Sequence, residues 1–207
     1  MYCLTALNKD FTFPIAKAIY EVKQSKFIAY LYVFSETINH TAETKDCIIS
    51  NLRTEHKKAN HFVFASRIIN ANTQIVESSS DDKEPKGSAG TPMLVVLRGE
   101  EIIDVLCICV RYFGGIKLGV GGLVRAYTQA CLDVIAKARN ESLLELYVPK
   151  QTITITNSIT QCDYIGYLIR INNLEILHKE FLGDTFEFTL HGKAPDIDKL
   201  LATIKAR

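Results

Sequence analysis

Five glycines crowd between Gly114 and Gly122, where an apolar run ends and an amphipathic one begins, and no other stretch limits the fold as tightly. The stretch from Leu94 to Ala138 opens on an apolar strand signal, and Val105, Cys107 and Val110 belong to a run suited to a sheet covered on both faces. Arg111-Tyr112-Phe113 carries that strand into the glycines. From Leu123 to Ala138 apolar residues recur on one helical face, at Leu123, Ala126, Tyr127, Ala130, Val134, Ile135 and Ala138. Glycines at this density lose much backbone entropy on folding, so the elbow requires positive φ values or a close backbone approach. Two readings stay open. Either the first helical amides emerging from Gly119, Gly121 and Gly122 hold an anion with Lys117 and Arg125, or the elbow only lets helix and sheet pack closely. The spacing matches neither familiar phosphate loop: it lacks the lysine-serine pair of a Walker A sequence and the acidic residue that follows a dinucleotide fingerprint.

The 207 residues suit one large domain or two small ones. With 47% hydrophobic and 23% charged residues and no apolar span of membrane length, a soluble globular protein is expected. Met1-Tyr2-Cys3-Leu4-Thr5 lacks a basic region followed by an apolar segment, so a cytoplasmic location is expected as well. The six cysteines sit in strand or helix signals without a Cys-x-x-Cys pair, which points to reduced, mostly buried thiols. A net charge of +1 does not mark a nucleic-acid binder. A local basic face would draw on Lys57, Lys58, Arg67, Lys83, Lys86, Arg98, Arg111, Lys117 and Arg125, residues that a solvated surface carries equally well.

Before the elbow, Phe13 to Glu21 reads as an edge strand and Ile28 to Phe34 as a strand buried on both sides. Ser35 to Lys58 reads as a helix with Thr41 or Thr44 near its start. Asn60 to Ile68 follows as a strand with His61, Val63, Ala65 and Arg67 on one side. Thr73 to Thr91 is polar, acidic and rich in turn formers, and is expected to be a loop without a buried face. Its Asp81, Asp82 and Glu84 are candidate ligands for a hard divalent cation such as Mg²⁺ beside a phosphate; a flexible excursion is the alternative. His61 is a candidate ligand-binding residue, or else a satisfied polar residue of the sheet. No nucleophile elbow or metalloprotease pattern is present, and enzymatic activity stays undecided. Beyond a border near Pro149-Lys150, the order is strand, helix, a hairpin across Gly183-Asp184, and a closing helix from Pro195 to Lys205. That is most of a split βαβ unit, with the usual last strand missing.

Several strings together resemble the YigZ/Impact family: Lys23-x-Ser25-Lys26-Phe27-Ile28-Ala29, His61 in its strand, Ser80-Asp81-Asp82-x-Glu84-Pro85-x-Gly87-Ser88-Ala89-Gly90-Thr91-Pro92, and the long run from Val110 to Tyr127. The resemblance implies an α/β (α+β) architecture of two domains, residues 1–144 and 145–207. The first would be two-layered, like the second domain of a small-subunit ribosomal protein with its left-handed crossover. The second would be ferredoxin-like, and the pair resembles the last two domains of the ribosomal translocase. It implies a nucleic-acid- or ribosome-associated regulator, with Arg111, Lys117 and Arg125 on phosphates, Gly119, Gly121 and Gly122 permitting close approach, Tyr112 or Phe113 stacking on a base, and His61 adding a hydrogen bond. Alternatives are a phosphate- or nucleotide-dependent enzyme or small-ligand-binding protein using the glycine turn, and a protein-binding regulator. Eukaryotic members are associated with translational control by competing for an activator of the starvation-responsive initiation-factor kinase, and they carry an additional amino-terminal domain for which this chain is expected to have no room. One departure stands out: the family's acidic string reads Asp-Asp-Gly-Glu-Pro, and Lys83 takes the glycine position.

Overall fold

The computed structural model describes residues 1–4, 12–35, 42–70 and 72–206. The chain divides into two compact units, Met1–Leu146 and Tyr147–Arg207. The first contains β1 (Tyr2–Leu4), β2 (Ala16–Val22), β3 (Ser25–Val33), α1 (Ala42–Glu55), β4 (His61–Ile69), β5 (Ile75–Ser80), α2 (Gly90–Gly99), β6 (Ile102–Ile103), β7 (Val105–Tyr112), α3 (Gly119–Asn140) and β8 (Leu144–Leu146). The expected helix start at Thr41 lies outside the described residues.

An antiparallel sheet in the order β2-β3-β7-β4-β5 organises this unit, and β7 is its centre. Alternate side chains of β7 enter different cores. Val105, Cys107 and Cys109 pack with residues of α2 and α3, whereas Leu106, Ile108 and Val110 pack with Ile48 and Leu52 of α1. Strands apolar on both faces must be covered twice, so the unit has three layers, not the expected two. A small sheet β6-β1-β8 ties Leu144–Leu146 to the amino-terminal strand.

Two further expectations change. Leu94 belongs to helix α2, where Met93, Leu94, Val96 and Leu97 are buried; so short an apolar run does not separate strand from helix by periodicity. The stretch expected to be a loop contains β5, paired with β4 from Ile75 to Ser80, and then the buried Ser88, Ala89 and Gly90. An edge strand that runs from Ile75 and Val76 into glutamate and serines pairs through its backbone and shows no hydrophobic period. None of the six cysteines forms a disulfide, and Cys107, Cys109 and Cys131 are buried.

The second unit runs β9 (Lys150–Ser158), a 3₁₀ turn (Ile159–Gln161), α4 (Cys162–Ile171), β10 (Glu175–Leu182), β11 (Thr185–Lys193) and α5 (Ala194–Lys205). Its antiparallel sheet has the order β10-β11-β9. Ile165, Leu168 and Ile169 of α4 and Ile197 and Leu200 of α5 pack on Phe186, Phe188 and Leu190 of the middle strand. No fourth strand joins this sheet among the described residues.

Candidate nucleic-acid interface

Strand directions bring four turns to one end of the five-stranded sheet, because β3 and β4 begin where β2, β5 and β7 end. Side chains then tie the turns together. Lys23 and Gln24, at φ 46° and 62°, join β2 to β3, and Gly114 lies against them. A Cβ on Gly114 would sit 2.0 Å from the Gln24 carbonyl carbon, and its N–H donates to Ser25 Oγ at 3.2 Å. After α1, Asn60 donates its N–H to the Arg111 carbonyl at 2.8 Å and accepts the Phe113 N–H on Oδ1 at 2.8 Å. Between β5 and α2, the chain turns through Asp82 and Lys83 at φ 41° and 69°, closed by the Glu84 N–H on the Asp81 carbonyl at 3.0 Å. His61 Nδ1 lies 2.8 Å from the Asp82 carbonyl, and since a carbonyl only accepts, this nitrogen carries a hydrogen. The fourth turn is the glycine elbow.

Beneath the turns lies a buried polar cluster that sequence reasoning captured only in pieces. His61, Arg111 and Phe27 form a cross-strand row on the face covered by α3. Arg111 Nη1 donates to Glu84 Oε1 at 2.5 Å, and the Tyr127 hydroxyl donates to the same oxygen at 2.8 Å. His61 Nε2 is 3.8 Å away from it. Burial, followed by Cys109 and Glu84, pushes the Tyr127 hydroxyl far above its ordinary range, so it stays a donor. Arg111 Nε is buried without a hydrogen-bond partner.

The candidate cation ligands do not converge. Asp81 accepts the N–H groups of Gly87, Ala89 and Gly90 at 2.7, 3.1 and 2.8 Å, which clamps the start of α2. Asp82 takes the Phe62 N–H at 2.6 Å and Arg53 at 3.1 Å. Glu84 faces Arg111 and Tyr127. Each carboxylate is consumed locally, and no group of three His, Cys, Asp or Glu among the described residues is placed to hold a metal. The Mg²⁺ expectation therefore finds no protein-built site.

The basic candidates separate in the same way. Arg67 and Arg98 pair with Glu77, and Arg111 with Glu84. Lys57, Lys58, Lys83, Lys86, Lys117 and Arg125 are exposed, and none forms an ion pair with a described carboxylate. Tyr112 and Phe113 point to opposite faces: Tyr112 Oη meets His56 Nδ1 at 2.8 Å on the α1 side, while Phe113 is 43% exposed with its ring 5.7 Å from the Arg111 guanidinium. Only Phe113 is free to stack. Helix α3 starts at Gly119, earlier than its apolar face announces, with no side-chain cap and no acid in its first turn. Positive φ values at Gly115 (87°) and Gly119 (70°) shape the elbow, and a Cβ on Gly121 would meet nothing within 4 Å. Arg125 follows Gly121 and Gly122 by one helical turn on the same stripe. Tyr127, Arg53, Ser25 and Asn60 were not among the sequence candidates, because their roles depend on partners distant in the chain.

Residues 23–135, which hold all four turns and the buried cluster, match the family model of the Impact N-terminal domain. The chain belongs to the IMPACT family. It is 33% identical over 174 residues to an IMPACT family member of Haemophilus influenzae, covering 83% of this chain and 76% of that protein. It is 34% identical over 146 residues to IMPACT family member YigZ of Escherichia coli, covering 70% of this chain and 64% of that one. A crystal structure described as that of an hypothetical protein superposes with a TM-score of 0.69 at 26% identity, over 93% of this chain and 89% of the other. The mixed α/β fold is thus shared well beyond the first unit. Within this IMPACT chain, Lys83 occupies a left-handed position at φ 69°, a conformation that glycine adopts without a steric penalty. No described helix is long and apolar enough to cross a membrane.

Proposed function

We propose that this IMPACT chain is an RNA- or ribosome-associated regulatory protein that binds unpaired RNA at the four-turn end of its first unit. The observation that supports this reading is an imbalance of charge. Asp81, Asp82 and Glu84 are taken up by backbone amides and arginines, while Lys57, Lys58, Lys83, Lys117 and Arg125 face solvent without a described carboxylate. Those cations neutralise phosphates, the uncapped amides of α3 accept one more, and Phe113 supplies the stacking surface. In this reading the first unit is a relative of the second domain of a small-subunit ribosomal protein and the second unit is ferredoxin-like. The protein acts in translational control in the cytoplasm. The phosphate-dependent enzyme loses support because its metal ligands diverge.

Fluorescence anisotropy with single-stranded and structured RNA across a salt series tests the proposal. Lys117→Ala and Arg125→Ala each lower affinity and reduce the log-log salt slope by about 0.7 on a single strand. Phe113→Ala weakens binding by about 1–3 kcal/mol and leaves the slope unchanged. Absence of binding at low salt, or equal affinity in all three folded variants, rejects the RNA reading and favours a protein partner.

A further inference from the structure

We infer that the free edge of β9 is a self-complementary dimerisation strand, whose partner is β9 of a second copy of this chain. The edge is open: β11 is the one described strand that pairs with β9. Its orientation follows from the bonds that flank the ladder. Pro149 accepts the Ala194 N–H at 3.0 Å and Ile159 donates to the Asp184 carbonyl at 2.9 Å, with an unbroken register between them. Backbone groups alternate along an antiparallel strand, so Gln151, Ile153, Ile155 and Asn157 bond β11. Lys150, Thr152, Thr154, Thr156 and Ser158 turn their N–H and C=O groups outward.

The sequence of this edge commits it to its own copy. Gln151-Thr-Ile-Thr-Ile-Thr-Asn157 reads as the same pattern of residue types from either end about Thr154. Two such strands, antiparallel across a two-fold axis at Thr154, set Thr154 against the partner's Thr154, Thr152 against the partner's Thr156, Ile153 against the partner's Ile155, and Gln151 against the partner's Asn157. Every one is a matched cross-strand pair, and none opposes like charges. The axis also falls where the backbone requires it, since Thr154 presents both its N–H and its C=O outward and two copies exchange both bonds. Ile153 and Ile155, which are only partly buried against the core, gain cover from each other.

The two edges of the five-stranded sheet and the opposite edge of this one carry features that discourage pairing. β2 bears Lys17 and Glu21, β5 bears Glu77, and β10 has a bulge between Ile176 and His178 followed by Lys179 and Glu180. From Gln151 to Asn157, β9 has no charge, no proline and no bulge. The product is a closed dimer with a continuous sheet of two second units, ended on each side by the bulged β10.

Sedimentation equilibrium of the full chain tests this. The unaltered chain forms a reversible dimer. Thr154→Lys and Thr154→Glu, at an exposed position, each place like charges across the axis and weaken association by about tenfold or more, with unchanged circular dichroism. An equimolar mixture of the two restores association as a heterodimer. Thr154→Pro removes an outward N–H without touching the β11 ladder and also yields monomer. A chain that stays monomeric throughout, a dimer indifferent to Thr154→Lys and Thr154→Pro, or a mixture that fails to reassociate overturns the inference.

Discussion

Arg111 and Glu84 meet at 2.5 Å with side chains only 6% and 4% exposed, and so the Asp81–Glu84 turn is fastened to the central strand by a buried ion pair. Removing one partner of such a pair strands the other charge in a poorly solvated place. Glu84→Ala is expected to lower unfolding free energy by about 3–5 kcal/mol in urea denaturation. Tyr127→Phe, which deletes one charge-assisted hydrogen bond, is expected to lower it by about 1.5–3 kcal/mol. Equal stability of Glu84→Ala and the unaltered chain would show that the pair does not anchor the turn.

His56 lies on the opposite face, 8% exposed, between the hydroxyls of Tyr30 at 2.7 Å and Tyr112 at 2.8 Å. Burial holds its imidazole below the ordinary 6.5, with Glu55 opposing part of the effect. The unfolded chain therefore binds more protons than the folded one between the depressed value and 6.5. Stability is complete above that ordinary value and falls as pH drops through the folded one. Urea midpoints at about pH 7.5 and pH 5.5 should differ, by no more than about 1.4 kcal/mol per pH unit from this residue, and His56→Gln should flatten the difference. Glu77 contributes in a separate window. Its carboxyl is held below 4.5 by the Arg98 hydrogen bond first and by Arg67, so its stabilisation is lost only at more acid pH.

Lys83, at φ 69°, adopts a conformation that crowds Cβ against the backbone by about 1–2 kcal/mol. Glycine removes the crowding and returns about 0.4–1 kcal/mol of unfolded-state freedom. Lys83→Gly should raise thermal stability by about 0.5 kcal/mol or somewhat more, and should weaken RNA binding slightly through the lost cation. A destabilised Lys83→Gly protein would mean that the lysine stem makes packing contributions larger than its backbone strain.

These residues also show where the sequence was informative. The near-continuous apolar runs of β4 and β7 state that the sheet is covered on both faces, and the apolar stripe of α3 states which side of that helix is buried, because burial imposes those patterns. By contrast, β5 offers only Ile75 and Val76 before Glu77 and three serines, too short an apolar run to signal a strand, since an edge strand can be stabilised by pairing alone. The fates of Asp81, Asp82 and Glu84 were hidden for another reason. Three neighbouring carboxylates look like one cation site in a linear string, but the turn through Asp82 and Lys83 directs them to different partners. The unpaired lysines emerge as one surface only after β2, β3, β4, β5 and β7 are placed in order.

Gly114 and Gly121 belong to one elbow and should respond to alanine with opposite signs. A Cβ on Gly114 meets the Gln24 backbone at 2.0 Å, and backbone has no rotamer with which to yield. Gly114→Ala is expected to cost about 2–3 kcal/mol or more, with the β2–β3 turn displaced. Gly121 stands in the first turn of α3, and a methyl group there would have nothing within 4 Å, so alanine should stabilise the helix by about 1 kcal/mol. That methyl group nonetheless occupies the space through which a phosphate approaches the α3 amides. Gly121→Ala should therefore melt at a higher temperature than the unaltered chain and bind RNA more weakly, a combination that general destabilisation does not produce. Raised stability with undiminished RNA affinity would instead assign the glycine to packing and place phosphate recognition on Lys117 and Arg125 alone.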